Sequence, residues 1–176
     1  CLVFAKNPDA YRNIAMQFED RKVEKVYHAV AEGIHDFDGI MVDRNLSASK
    51  NGIARIVPSG KPAQTIFKTV KSYFAHTLIA CKPITGRLHQ IRVHLAYLAA
   101  PICGDELYGG QPLYLSSIKR KFNLKKGTEE RPIMQRVALH AFAISFTDLS
   151  GEKISAEAPY PKDFAVMVKQ LEKTSK

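Results

Sequence analysis

Two β-type runs, Gln64 to Lys71 and Phe74 to Lys82, are separated by only Ser72 and Tyr73. A joint that short forces the two strands to pair antiparallel, because parallel neighbours need a crossover of roughly a dozen residues. Other strand-type runs follow the same habit. Glu24 to Ala31 alternates, with Val26, His28 and Val30 on one face and Lys25, Tyr27 and Ala29 on the other, and it ends at Gly33. Phe37 to Val42 predicts a further strand. Val137 to Asp148 and Lys153 to Glu157 predict a hairpin turning at Ser150-Gly151. Leu2 to Ala5 reads as a buried strand, and Asp43 to Asn51 as a polar turn.

Helices are fewer. Asn7-Pro8-Asp9 is a helix entry, with Asn7 as N-cap and Pro8 in the first turn. That helix runs to about Asp20, and its stripe of Tyr11, Ile14, Ala15 and Phe18 predicts packing on a sheet. Arg87 to Ala99 predicts a second helix, with Leu88, Ile91, Leu95 and Leu98 inward and Pro101 as its stop. Pro161 to Lys173 predicts the last. Gln111 to Met134, rich in Lys, Arg, Gly and Pro, reads as a surface insertion with a short helix near Leu113 to Ile118. Strands succeed one another without regular βαβ alternation, so the fold class is α+β: a mixed, mostly antiparallel sheet with flanking helices. With 176 residues and no internal repeat or linker, residues 1–176 read as one domain.

Lys and Arg total 26 against 17 Asp and Glu, a net charge of +9. That excess favours a polyanionic partner, because neutralised phosphates release counterions. Three scattered cysteines support neither a disulfide framework nor a tetrahedral zinc site, and a reducing cytoplasm is the expected compartment. No apolar run reaches the ~18 residues needed to span a bilayer, so no membrane role is expected. The chain opens on Cys1-Leu2-Val3-Phe4-Ala5, with neither an initiator Met nor a preceding turn; upstream sequence is expected.

Several chemistries are excluded by spacing. Neither a P-loop nor a dinucleotide-binding glycine pattern occurs. His89 and His94 stand at i and i+5, not the i, i+4 of a helical zinc site, so no metal is expected. A G-x-S-x-G elbow is absent. What remains is Arg87, His89, Gln90, Arg92 and His94 within eight residues, directly after Thr85-Gly86. Arginines in a first helical turn oppose the helix dipole, while free N–H groups and guanidinium together build an anion site. Local rules break where function intrudes.

Thr85-Gly86-Arg87-Leu88-His89-Gln90-Ile91-Arg92-Val93-His94 is similar to the T-G-R-T/S-H-Q-I/L-R-V-H signature of the RluA-type RNA pseudouridine synthases. Pro101-Ile102-Cys103-Gly104-Asp105-Glu106-Leu107-Tyr108-Gly109 resembles the family's P-I-x-G-D-x-x-Y-G. Further matches are Leu2 to Lys6, Gln17-Phe18 through Val30, Gly60 to Ala63 and Leu139 to Ala141. The resemblance weakens at Asp43 to Ser59 and in the insertion.

The resemblance implies isomerisation of uridine to pseudouridine in RNA, ribosomal or transfer, by cleaving the glycosidic bond and rejoining the uracil through carbon, without cofactor or metal. It implies that Arg92 partners the family's catalytic Asp. Tyr27 matches the K-x-Y tyrosine that stacks on the target base and can act as a base toward a ribose proton. Leu139 matches the apolar residue beside the uracil. The catalytic Asp itself belongs to an H-R-L-D-x-x-T-S-G segment that residues 1–176 do not contain, so these residues alone are expected to be inactive; Gly104-Asp105 reads as a turn or cap. RNA contact is expected from Arg87, His89 and Gln90, and from Lys119, Arg120, Lys121, Lys125, Lys126, Arg131 and Arg136 of the insertion. A monomer is expected. The alternative reading is a non-catalytic RNA-binding module of the same fold.

Overall fold

A computed structural model describes residues 1–125 and 127–174 of the chain. Its elements in order are α1 (Pro8–Glu19), β1 (Glu24–Glu32), β2 (Asp38–Asp43), β3 (Leu46–Ala48), β4 (Ala54–Ile56), β5 (Gln64–Ser72) and β6 (His76–Pro83). There follow α2 (Gln90–Tyr97), a 3-10 turn (Glu106–Tyr108), α3 (Leu115–Ile118), β7 (Leu139–Thr147), β8 (Lys153–Glu157) and α4 (Lys162–Thr174). Six strands form one sheet in the order β2-β5-β6-β1-β7-β8, and β3 pairs with β4 in a small separate ribbon. Every pairing among the described strands is antiparallel. The short β5–β6 joint forces this locally, and the β7–β8 hairpin repeats it at the other edge.

Register decides which residues share a face. Tyr27 lies opposite Cys81 on β6 and Ala141 on β7, and Cys81 lies opposite Phe67 on β5. These side chains, with Ala29 and Leu139, therefore line one face, because neighbours directly across a ladder point the same way. α2 covers that face, its His94 bonding to Thr65. The opposite face carries His28 and His140, and α4 covers it through the ring contacts of Phe164 with His140 and Tyr160. Phe67, Ile79, Leu95, Ile102, Phe164, Met167 and Leu171 are fully buried in the resulting core. Each such side chain contributes about 1.5–3 kcal/mol by leaving water.

Three sequence expectations are corrected. Leu2 to Ala5 forms no strand, and Leu2 and Phe4 are 84% and 82% exposed. α1 has its expected cap, with Asn7 accepting from the Ala10 N–H at 2.8 Å, but its apolar stripe faces outward: Tyr11 and Phe18 are exposed. Polar pairing sets the helix orientation instead. The Gln17 amide donates to the Thr147 carbonyl (2.6 Å) and accepts from its N–H (2.8 Å), extending the β7 ladder. Asp43 to Asn51 contains β3. The insertion lies mostly at the surface and carries the expected short helix as α3, anchored at its ends by buried Leu113 and Met134 and by the Ile133 N–H donating to the Leu113 carbonyl.

Candidate active site and RNA-facing surface

The Thr85 to His94 segment divides into struts and presented groups. Gln90 is 3% exposed. Its amide oxygen accepts from the Thr85 hydroxyl (2.7 Å) and the Arg87 N–H (3.0 Å). Its amide nitrogen donates to the Gln64 carbonyl (2.8 Å) and to Thr65 Oγ1 (2.9 Å). The amide has all four of its hydrogen bonds made within the protein, so Gln90 fixes the loop, and an RNA contact by its side chain would require breaking them. The Thr65 hydroxyl donates to His94 Nδ1, because His94 Nε2 must donate to the Arg44 carbonyl. Burial holds the His94 pKa below its ordinary value; the ring is a neutral strut.

The expected helix from Arg87 is shorter than its pattern. His89 is the residue before α2 and lies in the left-handed region at φ 52°, so Arg87, Leu88 and His89 form a turn outside the helix. Leu88 consequently faces solvent rather than the core. The far end also stops early, with Ala99 at φ 55° two residues before Pro101.

Arg92 points from α2 to Asp105, and the two form a bidentate pair: Nε to Oδ2 at 2.7 Å and Nη2 to Oδ1 at 2.6 Å. Asp105 is 1% exposed, and the Arg92 side chain 17%. The bonded carboxylate raises the Arg92 pKa further, keeping the guanidinium charged. Asp105 takes the expected turn and cap position through its backbone, its N–H donating to the Ile102 carbonyl and its carbonyl accepting from the Tyr108 N–H (both 3.0 Å), while its side chain is spent on Arg92 rather than on the cap. The 3-10 turn places Tyr108 three residues on, and the Arg92 guanidinium lies 4.8 Å over its ring. The Tyr108 hydroxyl accepts from the Ala54 N–H (3.0 Å) and shares a hydrogen bond with His89 Nδ1 (2.9 Å). The His89 pKa is lowered by desolvation and then by the Arg92 charge. The loop carrying Asp105 closes at Gly110, where a Cβ would stand 1.8 Å from the Ile102 carbonyl oxygen.

Tyr27 is half-buried beneath this side of the sheet, and Leu139 lies on the same face, diagonally across β1 and β7. Burial raises the Tyr27 pKa above its ordinary value of 10.0. Arg92, Asp105 and Tyr108 thus form one cluster between α2, the 3-10 turn and the β3–β4 ribbon.

A model of the RNA pseudouridylate synthase family matches residues 1–97. The chain belongs to that family. The ribosomal large subunit pseudouridine synthase D of Neisseria meningitidis is 37% identical over 166 residues, covering 92% of this chain and 42% of that protein. Its Haemophilus influenzae counterpart is 34% identical, covering 97% of this chain and 52% of that one. The chain spans about half the length of these curated relatives. Among solved structures, human RNA pseudouridylate synthase domain containing 1 superposes with a TM-score of 0.66 at 26% identity, over 89% of this chain and 62% of that one. The domain containing 4 protein superposes at 0.71 and 23% identity, over 94% and 69%; that likeness is of fold.

As a pseudouridylate synthase family chain, it presents the expected basic surface in part. Lys119, Arg120, Lys121, Lys125 and Arg131 are exposed and form no ion pair among the described residues. Lys126 lies outside the described residues. Arg136 is engaged, donating to both oxygens of Asp163 on α4 at 2.9 and 3.0 Å. No cluster of three His, Cys, Asp or Glu able to hold a metal occurs among the described residues. No described helix is long and apolar enough to cross a membrane. Sequence reasoning missed Asp105 and Tyr108 as partners of Arg92. The signal was present in Gly104-Asp105-Glu106-Leu107-Tyr108-Gly109, but burial of the acid is visible only in three dimensions.

Proposed function

We propose that residues 1–176 form one partial catalytic domain of an enzyme that isomerises uridine to pseudouridine in RNA, ribosomal or transfer, as a cytoplasmic monomer without cofactor. The observation that carries this reading is the Arg92 fork. Asp105 occupies Nε and Nη2, leaving Nη1 with no protein partner among the described residues. A guanidinium clamped along one edge and stacked on Tyr108 is preorganised for a second anion at its free edge. That anion is the catalytic carboxylate, supplied from outside these residues. Asp105 and Tyr108 position Arg92; they do not replace the nucleophile.

Tyr27 supplies a flat surface for the target uracil, with Leu139 beside it. Its raised pKa keeps the phenol protonated at neutral pH, which favours stacking over proton abstraction. A uridine within folded RNA must be extruded to reach such a face. Arg87, His89 and the insertion's Lys119, Arg120, Lys121, Lys125 and Lys126 hold the flanking strand.

The test incubates the 176-residue chain with transcribed ribosomal and transfer RNA, measuring affinity across salt and pseudouridine by mass spectrometry. Salt-sensitive binding without isomerisation is expected. Lack of RNA binding would refute the RNA reading, and pseudouridine formation would refute the missing-carboxylate reading.

A further inference from the structure

Arg21, Lys25 and Arg87 converge on a cleft of about 400 Å³ between the end of α1 and the Ile84–Arg87 loop, with Phe18 as one wall. That volume falls in the ~300–1,000 Å³ range of small-ligand pockets. Glu19 also lines the cleft, yet none of the three cations pairs with it or with any other carboxylate among the described residues. One carboxylate against three cations leaves the concavity positive, where low-dielectric walls focus the field.

Each cation is placed by its own element. Arg21 holds the left-handed turn after α1 at φ 60°, a position where glycine costs least. An arginine there carries charge into the cleft at the expense of backbone strain. Lys25, on β1, lies 5.8 Å over the Phe18 ring, and burial lowers its pKa with no carboxylate to offset the desolvation. Arg87 donates Nε to the Pro62 carbonyl at 3.2 Å, leaving both Nη groups free of protein partners among the described residues. Lys25 stands two residues from Tyr27 on one strand, about 6.8 Å, a separation that one nucleotide spans.

We infer that this cleft binds a backbone phosphate of RNA, the one adjoining the nucleotide whose base stacks on Tyr27. The inference rests on the RNA reading above and adds a second contact surface, separate from the insertion. Free nucleotide or inorganic phosphate shares the chemistry, and the experiment separates them.

Binding of an RNA hairpin with a loop uridine is measured by fluorescence anisotropy from low to high salt, for the parent chain and for Arg21→Gln, Lys25→Gln, Arg87→Gln and Lys25→Arg. The triple glutamine variant, which combines Arg21→Gln, Lys25→Gln and Arg87→Gln, is expected to reduce the slope of log K against log salt by about 0.7–0.9, the share of one phosphate, with each single glutamine variant losing part of it, while Lys25→Arg retains it. Thermal melts identify any variant that fails to fold, in which case the comparison of Lys25→Arg with Lys25→Gln decides. Uridine monophosphate and inorganic phosphate are titrated in parallel and are expected to bind far more weakly than the hairpin. Salt-sensitive RNA binding with unchanged slopes in all three glutamine variants would overturn the cleft assignment and leave the RNA reading standing. Monophosphate binding lost in these variants, with the RNA slope intact, would overturn it in favour of a free nucleotide. No RNA binding by the parent would sink both.

Discussion

Replacing Asp105 with asparagine preserves the volume of the side chain and removes the charge that Arg92 grips through two bonds of 2.7 and 2.6 Å. The asparagine keeps one acceptor but turns an amide donor toward the guanidinium, so one of the two bonds becomes a donor–donor conflict. Removing one partner of a buried ion pair costs about 3–5 kcal/mol. Asp105 is 1% exposed, but Arg92 at 17% retains some access to water, which places the expected loss near the lower limit, about 3 kcal/mol. For a domain of this size each kcal/mol moves the midpoint by about 2–4 °C, so D105N is expected to melt about 6–12 °C below the parent. Thermal and urea unfolding followed by circular dichroism would measure it. The double variant Arg92→Met with Asp105→Leu, which replaces both charges by apolar groups, is expected to be more stable than D105N alone. A D105N variant within 0.5 kcal/mol of the parent, or a double variant with strictly additive losses, would refute the view that this pair is a desolvated, mutually dependent unit; here ~0.5 kcal/mol is the usual scatter of surface substitutions.

Gln90→Ala deletes four hydrogen bonds, two of them fully buried, and is expected to cost about 2–4 kcal/mol, read by urea unfolding; a neutral effect would mean that the loop does not depend on this strut. Gly110→Ala drives a Cβ to 1.8 Å from a backbone oxygen and is expected to lose about 3 kcal/mol or more, the top of the usual range; a parent-like melt would contradict the close approach. The buried His94 has its pKa held below 6.5, so below that pH the unfolded chain takes up a proton that the folded chain refuses. Stability is then complete above pH 6.5 and falls as the pH drops through 6.5 toward the depressed folded value. His28 and His89 shift in the same direction. Melting temperatures from pH 8 to 5 should fall only in the acid part, and less in His94→Gln; a flat profile would rule this out.

Much of the architecture was legible because its signals are local. The Ser72-Tyr73 joint, the Asn7-Pro8 cap and the Ser150-Gly151 turn each restrict a few neighbouring dihedrals, and the observed β5–β6 hairpin, α1 and β7–β8 hairpin follow. Apolar periodicity overextends the helix after Thr85, because it does not register a left-handed residue such as His89. The apolar stripe of α1 misplaces its buried face, because it carries no record of the Gln17–Thr147 pairing, which joins residues 130 apart in sequence.

By itself, the sequence determined the α+β class, the antiparallel hairpins, the basic balance and, through Thr85 to His94 and Pro101 to Gly109, the family. These depend on residue type and short-range spacing. Only the tertiary structure decided that Gln90 and His94 are internal struts, that Arg92 is already bound along one edge by Asp105, and that Arg21, Lys25 and Arg87 meet in one cleft. Burial and the convergence of distant side chains come from how the sheet and helices close on each other, and no local pattern encodes which polar group is left facing water.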